Sequence, residues 1–220
     1  GIHQQSIDEM LKEAGEAVAL GIKSVILFGI PKVKDAEATA AWHSEGIVQQ
    51  AIRALKSTYP DLMVVADTCL CEYMDHGHCG LVHDGKILND PSLEILARAA
   101  VAQADAGADI IAPSDMMDGR IAAIRAAIPE RTVLMSYSAK FHSRFYGPFR
   151  GAADSAPKGE VKLKDRATYQ IDPPNFNDAL RASIRDMEEG ADILMVKPAM
   201  PYLDVVYRLS SEIPLPWAVY

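Results

Sequence analysis

The feature that most constrains the fold of this chain is an alternation of amphipathic helical segments with short apolar strands of the buried type. The patterns predict helices over residues 6–20, 41–57, 92–106, 119 onward, 175–189 and 202–212, and strands over residues 24–29, 62–69, 109–114, 132–138, 192–198 and 216–220. Such alternation is typical of βα units, whose strands lie parallel in one sheet covered by helices. The sequence therefore predicts an α/β fold with about six parallel strands.

Two of these strands are near copies of each other. Residues 107–111 read GADII and residues 190–194 read GADIL. Glycine at a helix end and β-branched residues in a strand explain the repeat without any common function. Polar residues at the carboxyl ends of repeated strands are also what a (β/α)₈ TIM barrel predicts, because its active site is built from the loops there. A doubly wound open sheet is the alternative, but no G-x-G-x-x-G motif follows the first strand to support a dinucleotide site.

The predicted barrel is incomplete in this chain. A closed TIM barrel has eight strands, whereas the patterns give about six, and the sequence ends inside its last strand pattern. We therefore expect a single partial barrel domain over residues 1–220, with material missing at both ends.

Composition excludes several classes of protein. The chain has 22 Lys and Arg against 30 Asp and Glu, a net charge of −8, which argues against nucleic acid or a membrane surface as a partner. No apolar run approaches the roughly 18 residues of a membrane span, and residues 1–10 do not resemble a signal peptide. Three cysteines do not make a secreted disulfide framework. We expect a cytoplasmic protein with reduced thiols.

The most specific segment is DTCLCEYMDHGHCG, residues 67–80, just beyond the second predicted strand. It contains all three cysteines of the chain, Cys69, Cys71 and Cys79, with His76 and His78 between them. A single cysteine is usually an apolar filler, but three on one glycine-containing loop can converge on an ion. Three thiolates leave a fourth position open, which is typical of a catalytic zinc. We predict a Zn²⁺ site, in which the histidines either ligate the metal or hydrogen-bond to its ligands.

Two lysines lie at predicted strand ends. Lys140 follows the strand over 132–138, and Lys197 comes after four apolar residues near the end of the strand over 192–198. Most lysines are solvated surface charges. A desolvated lysine beside another cation, however, favours the neutral amine, which can attack a ketone to form a Schiff base. The positions predict such chemistry at Lys197.

A long polar stretch over about 139–172 reads as an active-site lid. Residues 139–166 contain seven Lys and Arg against three Asp and Glu, a net of +4 in a chain of −8. Charge runs are usually solvated surfaces, but a long glycine-containing connection of this kind is typical of a lid, and arginines suit a small carboxylate substrate.

Acidic residues also lie at predicted strand ends. Asp67 is in the second strand, and Asp115 and Asp118 follow the third. Carboxylates there can orient an amine or accept its protons, although helix N-capping explains Asp118 equally well.

Four segments, in this order and with compatible spacing, resemble the porphobilinogen synthase (5-aminolevulinate dehydratase) family: DTCLCEYMDHGHCG, APSDMMDGR, YSAKF with FYGPFR, and MVKPAMPYLD. The resemblance extends over essentially the entire chain. It implies a TIM barrel that condenses two 5-aminolevulinate molecules into porphobilinogen with loss of two waters, in tetrapyrrole (haem) biosynthesis. It also implies a homo-oligomer, commonly an octamer.

The resemblance further implies roles for individual residues. Lys197 would form the Schiff base with the first-bound substrate, and Lys140 would serve the second. Zn²⁺ held by the three cysteines would bind and polarise the second substrate. The remaining implied site residues are Asp67, Asp115 and Ser114 at the reacting centre, Tyr146 and Phe149 in the lid, and Arg150 and Arg166 at the substrate carboxylate.

The chain departs from the family pattern in three ways. Ala199 stands where the family usually has Gly after K-P. Many bacterial members carry a glutamate for a regulatory Mg²⁺ near the position of Ala182, and the absence of an acidic residue there argues against that Mg²⁺ site. The family's N-terminal arm and first strand would precede Gly1, and its closing region would follow Tyr220.

Two other functions stay open from the residues alone. A class I Schiff-base aldolase acting on another small keto acid would use the barrel and one lysine but leave the cysteine loop without a role. A catalytically incomplete fragment would act only in zinc binding or subunit interaction.

Overall fold

A computed structural model describes residues 3–158 and 163–220. In chain order it contains α1 (Ile7–Ala19), β1 (Ser24–Leu27), α2 (Thr39–Trp42), α3 (Ile47–Thr58), β2 (Met63–Thr68), β3 (Leu81–His83), β4 (Lys86–Leu88), α4 (Asn89–Asp105), β5 (Ile110–Pro113), α5 (Arg120–Ala127), β6 (Val133–Lys140), α6 (Gly147–Ala152), α7 (Phe176–Glu188), β7 (Ile193–Lys197), α8 (Leu203–Glu212) and β8 (Trp217–Val219). No helix in these two ranges has both the length and the apolarity to cross a membrane.

The main sheet has six parallel strands in the order β1-β2-β5-β6-β7-β8. Each strand therefore lies beside the one that precedes it in the chain, apart from the small β3–β4 hairpin. A doubly wound sheet would reverse its order at a switch point, whereas a barrel adds strands in one direction. The prediction of an α/β partial barrel with six strands is confirmed.

The two faces of the sheet have different roles. The largest core lies on the helix-covered face and includes Ile52, Leu55 and Leu96 from the helices. The opposite face holds a smaller cluster, formed by Val65, Ala112, Met135, Tyr137 and Met195.

Several of the predicted site residues share the face of the smaller cluster. Because side chains alternate along a strand, the residue two positions after a cluster member points the same way. Val65, Ala112 and Met195 belong to this cluster. The side chains two positions later, those of Asp67, Ser114 and Lys197, therefore point to the same inner face of the curved sheet.

A bulge in β6 brings a further lysine to that inner face. Ser136 pairs with Leu194 and Ala139 with Val196, so β6 has one more residue than β7 over this interval. The extra residue shifts the alternation. Lys140 therefore lies directly opposite Lys197 in the register, on the same face.

The two GAD segments, residues 107–109 and 190–192, stabilise the amino ends of β5 and β7. Gly107 and Gly190 both have positive φ, 104° and 102°, after their helices. In each copy the following aspartate accepts a hydrogen bond at 2.8 Å from a neighbouring strand, Asp109 from the Val64 amide and Asp192 from the Leu134 amide. The repeat therefore has a structural role, far from the carboxyl ends.

Three local elements differ from the sequence prediction. The helix expected over 41–57 is broken into α2 and α3, and the antiparallel hairpin β3–β4 was not predicted, although its Asp84-Gly85 turn is a hairpin signal. The expected lid is partly helical, with a 3-10 turn (Arg144–Tyr146) leading into α6. Gly159, Glu160 and Lys162, which entered the lid prediction, lie outside the described residues.

Candidate active site

A cavity lies at the carboxyl ends of the parallel strands. It is lined by Phe28, Asp67, Cys71, Glu72, Ser114, Lys140, Tyr146, Phe149, Arg166 and Lys197. Eight of these ten residues were predicted from the sequence, whereas Phe28 and Glu72 were not. The structure thus brings both lysines and one cysteine of the loop to a single cavity.

The two lysines are buried side by side at the ends of β6 and β7. Lys197 is 3% exposed and Lys140 is 7% exposed. The Lys140 Nζ donates to the Ser114 carbonyl. Two buried amines in adjacent strand positions repel each other when both are charged.

Aromatic rings surround the Lys197 amine. Its Nζ lies 3.5 Å from the ring centroid of Tyr220, 4.5 Å from that of Phe149 and 5.3 Å from that of Tyr137. Burial, followed by the charge of Lys140, lowers the pKa of Lys197 to about 7. Near neutral pH a large share of Lys197 is therefore the neutral, nucleophilic amine.

Lys140 has the opposite shift. Burial lowers the pKa of its ammonium, but the negative charge of Cys79 and the other cysteines outweighs burial and holds that pKa above its ordinary value. One lysine thus favours the neutral form and the other favours the cation. This difference favours Lys197 over Lys140 as a nucleophile near neutral pH.

The three cysteines form one buried cluster. Their sulfurs all lie within 4.8 Å of one another, with 3.3 Å between Cys69 Sγ and Cys71 Sγ. Tetrahedral coordination with Zn–S bonds of about 2.3 Å would place sulfurs ~3.8 Å apart. Hydrogen bonds from Cys69 and Cys71 hold the pKa of Cys79 well below its ordinary value. This donor set, with its spacing, fits a metal ion that prefers thiolates.

The two histidines of the loop hold its shape. The His78 Nδ1 lies 3.1 Å from the Tyr169 hydroxyl, and its Nε2 lies 3.1 Å from the Leu163 carbonyl. The His76 Nδ1 accepts from the His78 amide at 3.0 Å. The hydrogen bonds of both rings therefore stabilise the conformation of the loop. Among the described residues, the group whose atoms are close enough to hold a metal ion consists of the three cysteines.

The predicted acidic residues differ in position. Asp67 accepts from the Ser114 hydroxyl at 3.2 Å, and burial, followed by the charge of Glu72, raises its pKa to about 7. Asp115 is fully buried behind the cavity lining, and burial raises its pKa to about 6 against the effect of Arg120. Asp118 is exposed and pairs with Arg185 at 2.6 Å, while Gly119 occupies the N-cap of α5. Asp118 therefore has neither of the roles considered for it.

A fully buried arginine connects Asp115 to the surrounding helices. The Arg120 guanidinium lies 3.6 Å from Asp115 and 3.1 Å from Asp186, and it donates to the Ser136 hydroxyl at 3.0 Å and the Met117 carbonyl at 3.3 Å. The sequence reasoning missed this residue, because an arginine on an amphipathic helix ordinarily faces solvent.

Side chains of the predicted lid segment donate hydrogen bonds to backbone carbonyls around the cavity. The Tyr146 hydroxyl donates to the Lys197 carbonyl at 2.8 Å. The Arg166 guanidinium donates to the Gly77 carbonyl at 2.9 Å and also to the Ser155 carbonyl. Arg150 lies with its guanidinium 5.6 Å from the Tyr146 ring centroid. The lid therefore carries two arginines to the neighbourhood of the lysines.

A larger groove of about 520 Å³ lies elsewhere, among α2, α3 and α4. It is lined by Trp42, Ser44, Arg53, Glu94, Ala97, Arg98, Val101, Ala102, Asp105, Ala106 and Ala127. These residues include no cysteine, histidine or lysine. Both buried lysines and Cys71 instead line the smaller cavity.

Comparison with known proteins gives a consistent family match. The family model described as "Delta-aminolevulinic acid dehydratase" matches residues 1–220. The protein of that name from Halalkalibacterium halodurans is 56% identical over 223 residues, which cover 100% of this chain and 67% of that protein. The one from Bacillus subtilis is 54% identical, with 100% and 68% covered.

A solved structure is also similar. The crystal structure of delta-aminolevulinic acid dehydratase (porphobilinogen synthase) from Toxoplasma gondii, in complex with the reaction product porphobilinogen, superposes with a TM-score of 0.93 at 42% identity. The match covers 97% of this chain and 62% of that one. This chain thus spans about two thirds of the length of the relatives that it matches.

Proposed function

Because this chain belongs to the delta-aminolevulinic acid dehydratase family, we propose that it carries the catalytic centre of a porphobilinogen synthase, a hydro-lyase. The reaction condenses two 5-aminolevulinate molecules to porphobilinogen with loss of two waters and serves tetrapyrrole (haem) biosynthesis. The observation that carries the proposal is the pair of buried, register-matched lysines in a cavity that also contains Cys71. Two amines suit two keto-acid substrates.

Lys197 is the nucleophile for the first substrate. Its neutral nitrogen attacks the ketone carbon, a C=N bond forms, and the ketone oxygen leaves as water. Support comes from the lowered pKa of Lys197 and from the aromatic rings that exclude water around it. Lys140, which is next to it in the register, serves the second substrate.

Asp67 moves protons between the lysines and the substrates. A carboxyl group whose pKa is about 7 exchanges its proton readily at neutral pH. Ser114 orients Asp67 through its hydroxyl and fixes Lys140 through its carbonyl. Asp115 supports this segment from behind, since its Oδ1 accepts from the Met117 amide at 2.7 Å.

The resident metal is Zn²⁺, held by Cys69, Cys71 and Cys79. When bound, it supplies Lewis-acid polarisation of the second substrate. Cys69→Ala should remove bound zinc from the purified protein, and Ser57→Ala, at an exposed position of α3, should not. Equal zinc content in both variants would contradict this site. Ala182 contributes only a methyl group on α7, so we do not propose the Mg²⁺ site.

Residues 139–172 act as the lid of a single partial barrel domain, 1–220. Arg150 and Arg166 bind the substrate carboxylate, and Tyr146 and Phe149 pack over the bound substrate. Support comes from buried nitrogens of both arginines that have no hydrogen-bond partner in the described chain. Such donors are costly to bury unless a ligand satisfies them.

The chain works as a homo-oligomer, an octamer in the family, in the cytoplasm. Three apolar side chains at spacing typical of one helix face, Met200, Leu203 and Tyr207, are 84%, 61% and 74% exposed. The three cysteines are free thiols, which fit a reducing compartment. Sedimentation should give a mass above 23.9 kDa; a monomer at all concentrations would contradict the assembly.

The function is tested by incubating the zinc-loaded protein with 5-aminolevulinate and detecting the pyrrole product. Lys197→Ala should abolish product, and Lys23→Ala, an exposed lysine before β1, should retain it. Product from Lys197→Ala would contradict the proposal. Schiff-base chemistry that survives complete zinc removal, on a keto acid other than 5-aminolevulinate, would instead indicate a class I aldolase.

A further inference from the structure

The cavity contains buried acceptors as well as buried donors that lack a partner. Among the described residues, Glu72 Oε2 and Asp67 Oδ1 are inaccessible to solvent and accept no hydrogen bond. Arg150 and Arg166 likewise have buried side-chain nitrogens that donate no hydrogen bond within the described residues. A ligand with one cationic and one anionic end would satisfy both sets.

Glu72 is the less explained of the two carboxylates. It is 2% exposed, lines the cavity directly after Cys71, and has no assigned part in the proposed reaction. Neither Lys140 nor Lys197 forms an ion pair with it within the two described ranges. The Cys71 side chain and the charge of Arg166 both act on this carboxylate, but Oε2 stays without a partner. A buried oxygen in that state is costly, so a structural role alone does not account for the position of Glu72.

The chemistry of the substrate supplies the missing partner. In 5-aminolevulinate the ammonium group is on the carbon next to the ketone. When a lysine attacks that ketone, the substrate ammonium must lie close to two protein amines that repel it. A carboxylate at this place removes the repulsion and forms a charge-assisted hydrogen bond.

We propose that Glu72 binds the ammonium group of 5-aminolevulinate and thereby makes the site select this substrate over keto acids that lack the amine. The proposal rests on the proposed function, which it deepens by assigning a specificity-determining residue. It requires no change in the roles of the lysines or of the cysteine cluster.

The test compares two ligands on the same variant. Levulinate differs from 5-aminolevulinate only by lacking the amine, and borohydride reduction traps either one as a lysine adduct. Glu72→Gln keeps the side-chain volume and removes the charge. We expect it to raise the half-saturating concentration of 5-aminolevulinate about tenfold, which corresponds to roughly 1.4 kcal/mol, and that of levulinate less than about twofold.

Controls separate this effect from damage to the site. Glu72→Asp, which keeps the charge, should recover part of the preference for the amine, and Glu130→Gln, at an exposed position, should leave both ligands unchanged. A loss of metal or of folding would affect both ligands alike.

Equal shifts for the two ligands, or no shift for either, would overturn the role of Glu72 while leaving the proposed function intact. Failure of the unsubstituted protein to trap either ligand would instead overturn the proposed function itself.

Discussion

Lys140 and Lys197 occupy matched positions on adjacent strands, yet their surroundings shift their pKa values in opposite directions. Aromatic rings and Lys140 lie around the Lys197 amine, whereas the negative charge of Cys79 is the largest influence that raises the pKa of Lys140. The two amines can therefore differ in charge at the same pH. In the proposed reaction, this difference would let Lys197 attack a ketone while Lys140 stays cationic beside the second substrate.

The first residue-scale prediction concerns the pH dependence of Lys197. Only the neutral amine reacts, so the rate of adduct formation at Lys197 should rise with pH and level off above about 7. Lys140→Met removes the neighbouring cation, so the pKa of Lys197 rises and the midpoint moves to higher pH. Quantitative trapping from pH 5 to 10 measures the midpoint.

Lys140→Arg is the matched control for this experiment. It keeps the positive charge, so the midpoint should move less than in Lys140→Met. A midpoint unchanged in Lys140→Met would contradict the electrostatic coupling between the two lysines.

The site residues that could be predicted from the sequence are those with a distinctive residue type and spacing. Three cysteines within one short loop seldom occur without a metal, and a lysine directly after an apolar strand is seldom a surface charge. Phe28 and Tyr137 could not be predicted, because only the pairing of distant strands brings them to Lys197. Glu72 was missed although it directly follows Cys71 in the cysteine loop. Asp118 was considered for the site because it is close in sequence to Asp115, but the turn between them directs it to solvent.

At the scale of elements, the bulge in β6 decides which side chains meet. Without the extra residue between Ser136 and Ala139, Lys140 would follow the alternation to the helix-covered face. The sequence carries no clear signal for this bulge. The strand itself was predicted with a boundary two residues short, which left Lys140 in the loop.

An element-scale prediction concerns the contact between the cysteine loop and the lid. Gly77 has φ +71°, and a Cβ there would lie 2.5 Å from the Ala156 carbonyl oxygen. Gly77→Ala should therefore push the lid away and speed tryptic cleavage after Lys158 or Lys164. Digestion followed by mass spectrometry measures the two rates.

Gly21→Ala is the matched control, since Gly21 has φ +86° with nothing within 4 Å of the added Cβ. It carries a similar backbone strain of roughly 1–2 kcal/mol without the collision. Equal lid cleavage in the two variants would contradict the packing of the lid on Gly77.

A further element-scale prediction concerns Arg120, which joins α5 to α7 and β6. Arg120→Met leaves Asp115 and Asp186 buried without their cation. The free energy of unfolding should fall by about 3–5 kcal/mol, as is usual when one partner of a buried ion pair is removed. Urea denaturation measures the change.

Arg131→Met, at an exposed position before β6, should change the unfolding free energy by less than about 0.5 kcal/mol. If the two variants lost the same stability, the structural role of Arg120 would be wrong.

At the scale of the whole molecule, the alternation of helix and strand was enough to predict the class of fold and the number of strands in the main sheet. Strand order follows from the rule that consecutive βα units stay adjacent and turn in one direction. The small hairpin and the break between α2 and α3 were missed, since elements of three or four residues carry little periodicity.

The same architecture explains why distant segments make one site. Asp67, Ser114, Lys140 and Lys197 come from four adjacent parallel strands or their ends, and all of them lie at one edge of the sheet. The cysteine loop and the lid then close over that edge. The residues proposed as nucleophile, proton carrier and metal ligands therefore lie close together, although 130 positions separate Asp67 from Lys197 along the chain.

The most direct test of the central claim is to locate the covalent adduct formed with 5-aminolevulinate. The zinc-loaded protein is reduced with borohydride in the presence of the substrate, digested and mapped by mass spectrometry. The adduct should be on Lys197, with a second one on Lys140 at saturating substrate. An adduct found only on lysines outside the cavity would contradict the claim that these two amines carry the reaction.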